Sequence, residues 1–293
     1  MTPRCITISS TCRGEARGVS RSTFKVVTAA AGLDSGTITP ETTINAPGVI
    51  TVQGQPLQND FTEDFGSISL DTALTNSVNT WFAQLGERVG SETLYSYMSA
   101  FGFNSKPQID LPSDQLTTSG IYDGDQLLGP SDPVDVARVA IGQERLLVTP
   151  LQMAEVAATV ANDGTLMKPR LWDRVVDPDG RVVKRMDPSE QSQAISPESA
   201  QQLNEAMQSV VREGTGTAAA LAGVDVAGKT GTAEVPDKEA CNGLPNQAWF
   251  IGFAPADDPQ IAVAATIECT SGFGGEVAAP IVADVMRELL GSG

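Results

Sequence analysis

The residues best suited to chemistry lie at the start of a predicted helix, where Ser22 and Lys25 stand three positions apart. Residues at this spacing share one face of a helix, so the hydroxyl and the amine can lie side by side while the following apolar run turns into a core. The positive end of the helix and burial both lower the proton affinity of such a lysine, which can then act as a base. The pair also fits an N-cap serine beside a solvated lysine, and a lone S-x-x-K favours that interpretation.

The composition of the chain restricts the chemistry that a serine could use. Among its 293 residues there is no histidine, which excludes Ser-His-Asp and Cys-His catalysis and every histidine-containing metal site. If a serine is activated in this chain, a lysine must accept its proton.

A second lysine lies on a predicted strand, in the sequence Lys229-Thr230-Gly231-Thr232. Alternation along a strand puts Lys229 and Gly231 on one face and the two threonines on the other. Gly231 has no side chain, so the backbone of a ligand could approach the strand closely. Taken alone, this motif is more often a solvated lysine beside small residues.

Charge and cysteine usage exclude several kinds of partner. The net charge of −17 argues against binding to nucleic acid or anionic lipid, which both reward clustered Lys and Arg. None of the four cysteines forms a C-x-x-C pair, so zinc and thioredoxin-like sites are disfavoured. Cys241 and Cys269 flank two predicted strands, and a disulfide or two buried free thiols are equally compatible with this placement. No apolar run reaches the length that a membrane span needs.

Apolar periodicity and capping residues predict a series of helices followed by a sheet and a closing helix. The predicted helices are Ser22–Leu33, Ser69–Thr75, Trp81–Val89, a helix from Ser91 to a stop at Gly102, Asp132–Ala140, Thr149–Ala161, Ser196–Val211 and Pro280–Leu290. The predicted strands are a hairpin of Leu171–Val176 with Val182–Met186, and then Val224–Val235, Ala248–Ala254 and Ile261–Cys269. The short turn between the last two strands makes that pair antiparallel.

Three short motifs occur once each and in a fixed order along the chain: S-x-x-K at Ser22, S-x-N at Ser77 and K-T-G at Lys229. The set resembles the transpeptidase domain of class B penicillin-binding proteins. The resemblance extends from about Ser22 to Leu290 and is therefore not confined to the motifs.

The resemblance implies a role for each residue of the first two motifs. Ser22 would attack the carbonyl between the two terminal D-alanines of a peptidoglycan stem peptide and form an acyl-enzyme. Lys25, kept neutral by burial and by a neighbouring Lys229, would take the serine proton. Ser77 would relay a proton toward the leaving D-alanine, and Asn79 would bond Lys25 and the substrate amide.

The resemblance likewise implies that the strand motif binds the substrate. Lys229, Thr230 and Thr232 would hold the terminal carboxylate, and Gly231 would let the substrate lie against the strand. Backbone N–H groups of Ser22 and Thr232 would form the oxyanion hole. No metal and no diffusible cofactor is implied.

The fold implied by the resemblance is α+β, with helices packed on an antiparallel sheet as in β-lactamases and transpeptidases. The family places two strands and a helix before S-x-x-K, and a membrane anchor and a further domain ahead of these, whereas 21 residues precede Ser22 here. We therefore expect a truncated domain over residues 22–293, whose sheet keeps about three strands and leaves the third as an open edge. Residues 1–21 are expected to be an irregular arm, and non-native sequence is one explanation of it.

The implied activity is D,D-transpeptidation, the cross-linking of peptidoglycan stem peptides in cell division or cell-shape maintenance, with covalent binding of penicillin. The alternatives are a D,D-carboxypeptidase or β-lactamase-like hydrolase, and an inactive fragment or β-lactam-binding remnant. The expected partners are stem peptides, β-lactams and a cell-wall synthesis complex, with no nucleic acid and no membrane anchor in this chain. The family works outside the cytoplasm, in the cell envelope.

Overall fold

A computed structural model describes residues 4–9, 21–235 and 238–291. The α-helices of these ranges are α1 (Lys25–Asp34), α2 (Leu70–Thr75), α3 (Asn79–Val89), α4 (Ser91–Ala100), α5 (Val136–Ala140), α6 (Pro150–Ala161), α7 (Pro197–Arg212) and α8 (Ala279–Gly291). The strands are β1 (Arg4–Ser9), β2 (Ile44–Asn45), β3 (Val49–Val52), β4 (Gln55–Gln58), β5 (Ser67–Ile68), β6 (Gly120–Asp123), β7 (Gln126–Leu127), β8 (Leu146–Leu147), β9 (Thr165–Met167), β10 (Arg174–Val176), β11 (Val182–Arg185), β12 (Glu190–Gln193), β13 (Ala227–Glu234), β14 (Asn246–Ala254) and β15 (Ile261–Thr270). This mixture of helices and largely antiparallel sheet confirms the predicted α+β class.

The main sheet contains the three strands predicted near the end of the chain, in the order β1-β15-β14-β13. β13 pairs antiparallel with β14, which places Lys229 opposite Ile251 and Gly231 opposite Trp249. β14 pairs antiparallel with β15, as the short connection between them predicts. The K-T-G motif therefore lies on an edge strand, which packs against the turn that carries Ser22.

The opposite edge of this sheet differs from the prediction. The segment Arg4–Ser9 pairs in parallel with β15, with Arg4 opposite Ile261. The expectation of three strands with an open edge at β15 is therefore wrong, because β1 pairs with the backbone groups of that edge. The alternating Ile and Thr residues of β1 have high strand propensity, a local signal that the prediction passed over. The other residues of the predicted arm before Arg21, 1–3 and 10–20, lie outside the described residues.

Helix α1 forms the centre of the helical part of the molecule. Every residue from Lys25 to Leu33 is buried. Close packing is required at Gly32, where a Cβ atom would lie 3.0 Å from Cδ1 of Leu85 in α3. A helix that is buried on every side offers no solvated face to a lysine, so the amine of Lys25 must be satisfied by protein groups.

Two helix starts are confirmed together with their caps. Thr149 accepts the N–H of Gln152 at the start of α6, and Ser196 accepts the N–H of Ser199 at the start of α7. A proline follows each cap at the first helical position, where its missing N–H has no consequence.

Helix α5 begins later than predicted. The carboxylate of Asp132 accepts the N–H of Gly129 and closes a turn, whereas Asp135 accepts the N–H of Arg138 and caps the helix. Both aspartates have a side chain that suits a helix start, so the sequence pattern alone could not distinguish them.

The alternatives for Cys241 and Cys269 are resolved by a disulfide between them. Cys241 lies in the connection from β13 to β14, and Cys269 lies near the end of β15. The bond therefore links the connection that follows the K-T-G strand to the end of β15. It also lowers the conformational entropy of the unfolded chain over a separation of 28 residues.

Several of the smaller sheets contribute side chains to the core, among them Ile44, Val52, Leu57 and Leu146, whereas the predicted hairpin, formed by β10 and β11, lies outside it. Several of its apolar side chains, such as Val176 and Val183, are exposed. Across the described ranges, no helix combines the length and the apolarity that crossing a bilayer requires.

Glu155 in α6 provides a test of this packing, because its side chain is only 6% exposed and burial raises the pKa of its carboxyl to about 8. A carboxyl whose pKa is higher in the folded state favours folding fully below its pKa in the unfolded chain, and this contribution to stability is lost as the pH rises through the folded pKa. Between about pH 5 and about pH 9 we expect the wild type to lose roughly 4 kcal/mol of unfolding free energy relative to Glu155→Gln. Urea unfolding of both proteins measures this, and a difference that stays constant with pH would contradict the prediction.

Candidate active site

Ser22 lies in a 3-10 turn over Arg21–Phe24 that leads directly into α1. The sequence predicts Ser22 inside the helix, whereas the α-helix itself begins at Lys25. The turn keeps the predicted neighbours together, with 3.0 Å between Lys25 Nζ and Ser22 Oγ. Phe24 and Lys25 are completely buried and Ser22 is partly exposed, so the hydroxyl is the part of the motif that a ligand can reach.

The amine of Lys25 lies among four oxygen atoms. Besides Ser22 Oγ, these are Ser77 O at 2.6 Å, Ser77 Oγ at 3.1 Å and Asn79 Oδ1 at 2.7 Å. The two carbonyl oxygens can only accept, whereas the two hydroxyls can donate or accept. A neutral amine can therefore donate to both carbonyls and present its lone pair to a hydroxyl. The charged amine can donate its third proton to the same hydroxyl, so the arrangement suits both protonation states.

Ser77 reaches Lys25 because of the tight connection between α2 and α3. Its φ of +57° is in the left-handed region, which is uncommon for a residue with a side chain. The N–H of Ser77 donates to Leu74 O and that of Val78 to Ala73 O, so the end of α2 holds this conformation. The turn directs both the carbonyl and the hydroxyl of Ser77 to one amine, a convergence that helical periodicity does not reveal.

Asn79 begins α3 and has a defined amide orientation. Its Nδ2 donates to the carbonyl of Gln58 at 3.0 Å, which leaves Oδ1 directed at Lys25. The S-x-N motif therefore contributes Ser77 O, Ser77 Oγ and Asn79 Oδ1 to the surroundings of the amine.

The K-T-G strand forms the facing wall of the site. Thr230, Gly231 and Thr232 line one cleft with Ser22, and Thr232 Oγ1 accepts the N–H of Gly274 at 3.0 Å. A Cβ atom at Gly274 would lie 2.4 Å from the carbonyl oxygen of Gly231, so the two backbones approach each other as only glycine permits.

Lys229 is completely buried and does not line the cleft wall with its neighbours. Its Nζ donates to the carbonyl of Thr230 at 3.1 Å and lies 3.4 Å from Thr230 Oγ1. Burial lowers the pKa of Lys229 to about 7, and the carboxylate of Asp60 acts in the opposite direction. An anion bound nearby would further favour the charged amine, so this lysine can respond to the arrival of a carboxylate.

The cleft has a volume of about 350 Å³. Its lining comprises Ser22, Asp60, Phe61, Ser77, Asn79, Ile141, Gln143, Thr215, Thr217, Thr230, Gly231, Thr232, Phe273, Gly275 and Glu276. A neighbouring cavity of about 480 Å³ continues toward Glu234 and shares with the cleft Asp60, Phe61, Asn79, Ile141, Gln143 and Phe273. In the part of the chain that the structure describes, no group of three or more Cys, Asp or Glu residues is placed to hold a metal ion.

The structure thus brings six predicted site residues onto one cleft, with Lys25 and Lys229 buried beside it. Sequence reasoning missed Asp60, Phe61, Thr215 and Phe273. The first two lie in a polar loop without periodicity, so no sequence pattern indicates them, and only the structure shows that the Phe61 side chain is 90% exposed.

Comparison with known proteins identifies relatives over almost the same range. Residues 19–287 match the family described as the penicillin binding protein transpeptidase domain. The chain is 38% identical over 277 residues to stage V sporulation protein D of Bacillus subtilis, in an alignment that covers 92% of this chain and 41% of that protein. It is 37% identical over 286 residues to peptidoglycan D,D-transpeptidase PbpA of Mycolicibacterium smegmatis, covering 91% and 55%. The chain therefore spans about half the length of these relatives.

Solved structures show the same similarity in three dimensions. Penicillin-binding protein A of M. tuberculosis, solved as a ceftriaxone acyl-enzyme complex, is 34% identical with a TM-score of 0.81, covering 97% of this chain and 61% of that one. The D,D-transpeptidase domain of a peptidoglycan glycosyltransferase from Eggerthella lenta is 31% identical with a TM-score of 0.80, covering 95% and 67%. These similarities confirm the resemblance that the ordered motifs indicate.

The buried amine of Lys229 should make stability depend on pH in a defined direction. Because its pKa is lower in the folded state, the unfolded chain binds the proton more tightly, which lowers the unfolding free energy. This loss disappears as the pH rises toward the pKa of the lysine in the unfolded chain. From about pH 7 to about pH 10, the unfolding free energy of the wild type should rise by roughly 3 kcal/mol relative to Lys229→Met. Urea unfolding at both pH values measures the change, and a relative fall over this range would refute it.

Proposed function

Since this chain belongs to the transpeptidase domain family of the class B penicillin-binding proteins, we propose that it is a serine D,D-transpeptidase that cross-links peptidoglycan stem peptides. The observation that carries the proposal is the 3.0 Å approach of Lys25 Nζ to Ser22 Oγ inside a cage of carbonyl acceptors. Without histidine in the chain, this amine is the base within reach of the hydroxyl.

In the first half of the reaction, Ser22 Oγ attacks the carbonyl carbon between the two terminal D-alanines. The serine proton passes to neutral Lys25 as the new C–O bond forms. When the C–N bond breaks, the proton passes through the hydroxyl of Ser77, 3.1 Å from Lys25, to the amine of the departing D-alanine. The product is an ester of Ser22, with Lys25 neutral again.

Binding of the substrate end falls to the K-T-G strand in this proposal. Thr230 and Thr232 would bond the terminal carboxylate, and Lys229 would gain its proton as that anion arrives. Backbone N–H groups of Ser22 and Thr232 would stabilise the oxyanion, a contribution of about 3 kcal/mol for each donor.

In the second half, an amine from another stem peptide attacks the ester and takes the acyl group. Lys25 accepts a proton from this amine and returns it to Ser22 Oγ as the ester bond breaks. The neighbouring cavity of about 480 Å³ opens beside Asn79 and offers room for a second peptide. This space favours transfer over the alternative in which water attacks and the chain acts as a carboxypeptidase.

Two observations bear on where the protein works. The disulfide between Cys241 and Cys269 is typical of proteins outside the reducing cytoplasm. The relatives include a protein named as a peptidoglycan D,D-transpeptidase. We therefore place the activity in the cell envelope, with stem peptides and β-lactams as ligands and a cell-wall synthesis complex as its setting.

A fluorescent penicillin tests the acyl-enzyme directly. The β-lactam carbonyl should acylate Ser22, and the label should persist because the opened ring remains attached and blocks the next step. We expect one label on the wild type, mapped by mass spectrometry to the peptide that contains Ser22, and none on Ser22→Ala.

The outcomes separate the alternatives. A label that is lost within seconds would indicate a β-lactamase, and release of D-alanine from a stem peptide without transfer to an added amine would indicate a carboxypeptidase. An unlabelled wild type that still unfolds cooperatively on heating would leave only a non-catalytic remnant.

A further inference from the structure

We infer that Asn59 is a positioning residue of this site, which holds the segment from Gln58 to Asp60 beside Asn79 and the cleft. The inference rests on the proposed function for its kinetic consequence and on the contacts of Asn59 for its structural basis. Asn59 belongs to none of the three motifs and does not touch the amine of Lys25.

The side chain of Asn59 uses both of its polar groups although it is only 2% exposed. Its Oδ1 accepts the N–H of Thr80 at 2.9 Å, and its Nδ2 donates to Pro47 O at 3.2 Å and to Glu63 O at 2.9 Å. The backbone N–H of Asn59 donates to Gly48 O at 3.0 Å. One side chain therefore joins the start of α3 to the chain on both sides of its own loop.

The bond to Thr80 replaces a missing helix cap. The residue before α3 is Val78, whose apolar side chain cannot accept a hydrogen bond from the first turn. Asn59 supplies the acceptor from 21 residues earlier in the chain. The start of α3, which carries Asn79, is thereby held to the same loop as Gln58.

The bonds to Pro47 and Glu63 hold a strained turn. Phe61 and Thr62 have φ values of +56° and +55°, which residues with side chains seldom adopt. Glu63 follows this pair directly, so the Nδ2 of Asn59 spans the turn from one end to the other. The hydrogen bonds of Asn59, together with the bond from the N–H of Glu63 to Asp60 O, offset this strain.

Fixing this loop has a direct effect on the amide of Asn79. The carbonyl of Gln58, the residue before Asn59, accepts the Nδ2 of Asn79 at 3.0 Å. Loss of that acceptor would free the amide to rotate and to turn Nδ2, a donor, toward the amine of Lys25. The orientation of Oδ1 toward Lys25 at 2.7 Å therefore depends on where Asn59 places its neighbour.

Fixing the loop also places Asp60 and Phe61. Both residues line the cleft and the neighbouring cavity, and the carboxylate of Asp60 is the charge that acts on Lys229. Asn59 thus supports the site in two places. One is the amide of Asn79, which bonds Lys25, and the other is Asp60, whose charge acts on Lys229.

The test compares the acylation kinetics of Asn59→Ala with those of the wild type, using a fluorescent penicillin. Because a misplaced base lowers the rate of a step more than the affinity for the ligand, the limiting acylation rate should fall about a hundredfold, with less than about a threefold change in the half-saturating concentration. In the background of Asn79→Ala the same substitution should lower the rate by clearly less, about tenfold at most, because the route to Lys25 is already lost and only the route through Asp60 remains.

Gln193→Ala is the matched control. Gln193 also makes three side-chain hydrogen bonds, two of them donated to the backbone carbonyls of Asp163 and Ile195, but it is not part of the cleft. Its loss should leave the limiting acylation rate within about twofold of the wild type, even where it lowers the melting temperature.

Asn59→Asp keeps the test decisive if Asn59→Ala does not fold. The aspartate retains the acceptor for Thr80 but loses both donations, and the limiting rate should fall about tenfold. A wild-type rate in folded Asn59→Ala or Asn59→Asp, or an equal fall with and without Asn79, would overturn the positioning role. A wild type that penicillin does not acylate would instead refute the proposed function.

Discussion

The structure of the site depends on one buried amine. Lys25 is the first residue of a helix without a solvated face, so the loss of water around its amine must be offset by hydrogen bonds. The oxygens that provide them come from the turn before α1, the turn between α2 and α3, and the first residue of α3. Because one atom joins these segments, the bonds that stabilise the helical core also hold the hydroxyl of Ser22 in place.

The sheet completes the site from the other side. Its edge strand presents Thr230 and Thr232 across the cleft from Ser22, and the bond from Gly274 to Thr232 closes the end of that wall. Nothing in this arrangement requires histidine. The chain instead buries two lysines, one that is hydrogen-bonded beside the hydroxyl and one that lies behind the cleft wall formed by the strand.

The sequence predicts best those parts of the site that depend on local spacing. Ser22 and Lys25 are adjacent because of helical geometry, and Thr230 and Thr232 share a strand face because of alternation. The contributions of Asn59 and the pairing of β1 with β15 arise from contacts between distant segments, which no local pattern encodes. For the same reason the sequence could indicate that Cys241 and Cys269 are able to pair but could not decide it.

Transfer of the Ser22 proton to Lys25 is measured most directly by the acylation rate of Lys25→Met. Methionine has a similar length but no basic group, so non-covalent penicillin binding and cooperative unfolding should persist. We expect the limiting rate of acylation at Ser22 to fall by about a thousandfold. Acylation of a folded Lys25→Met protein at nearly the wild-type rate would show that Lys25 is not the base.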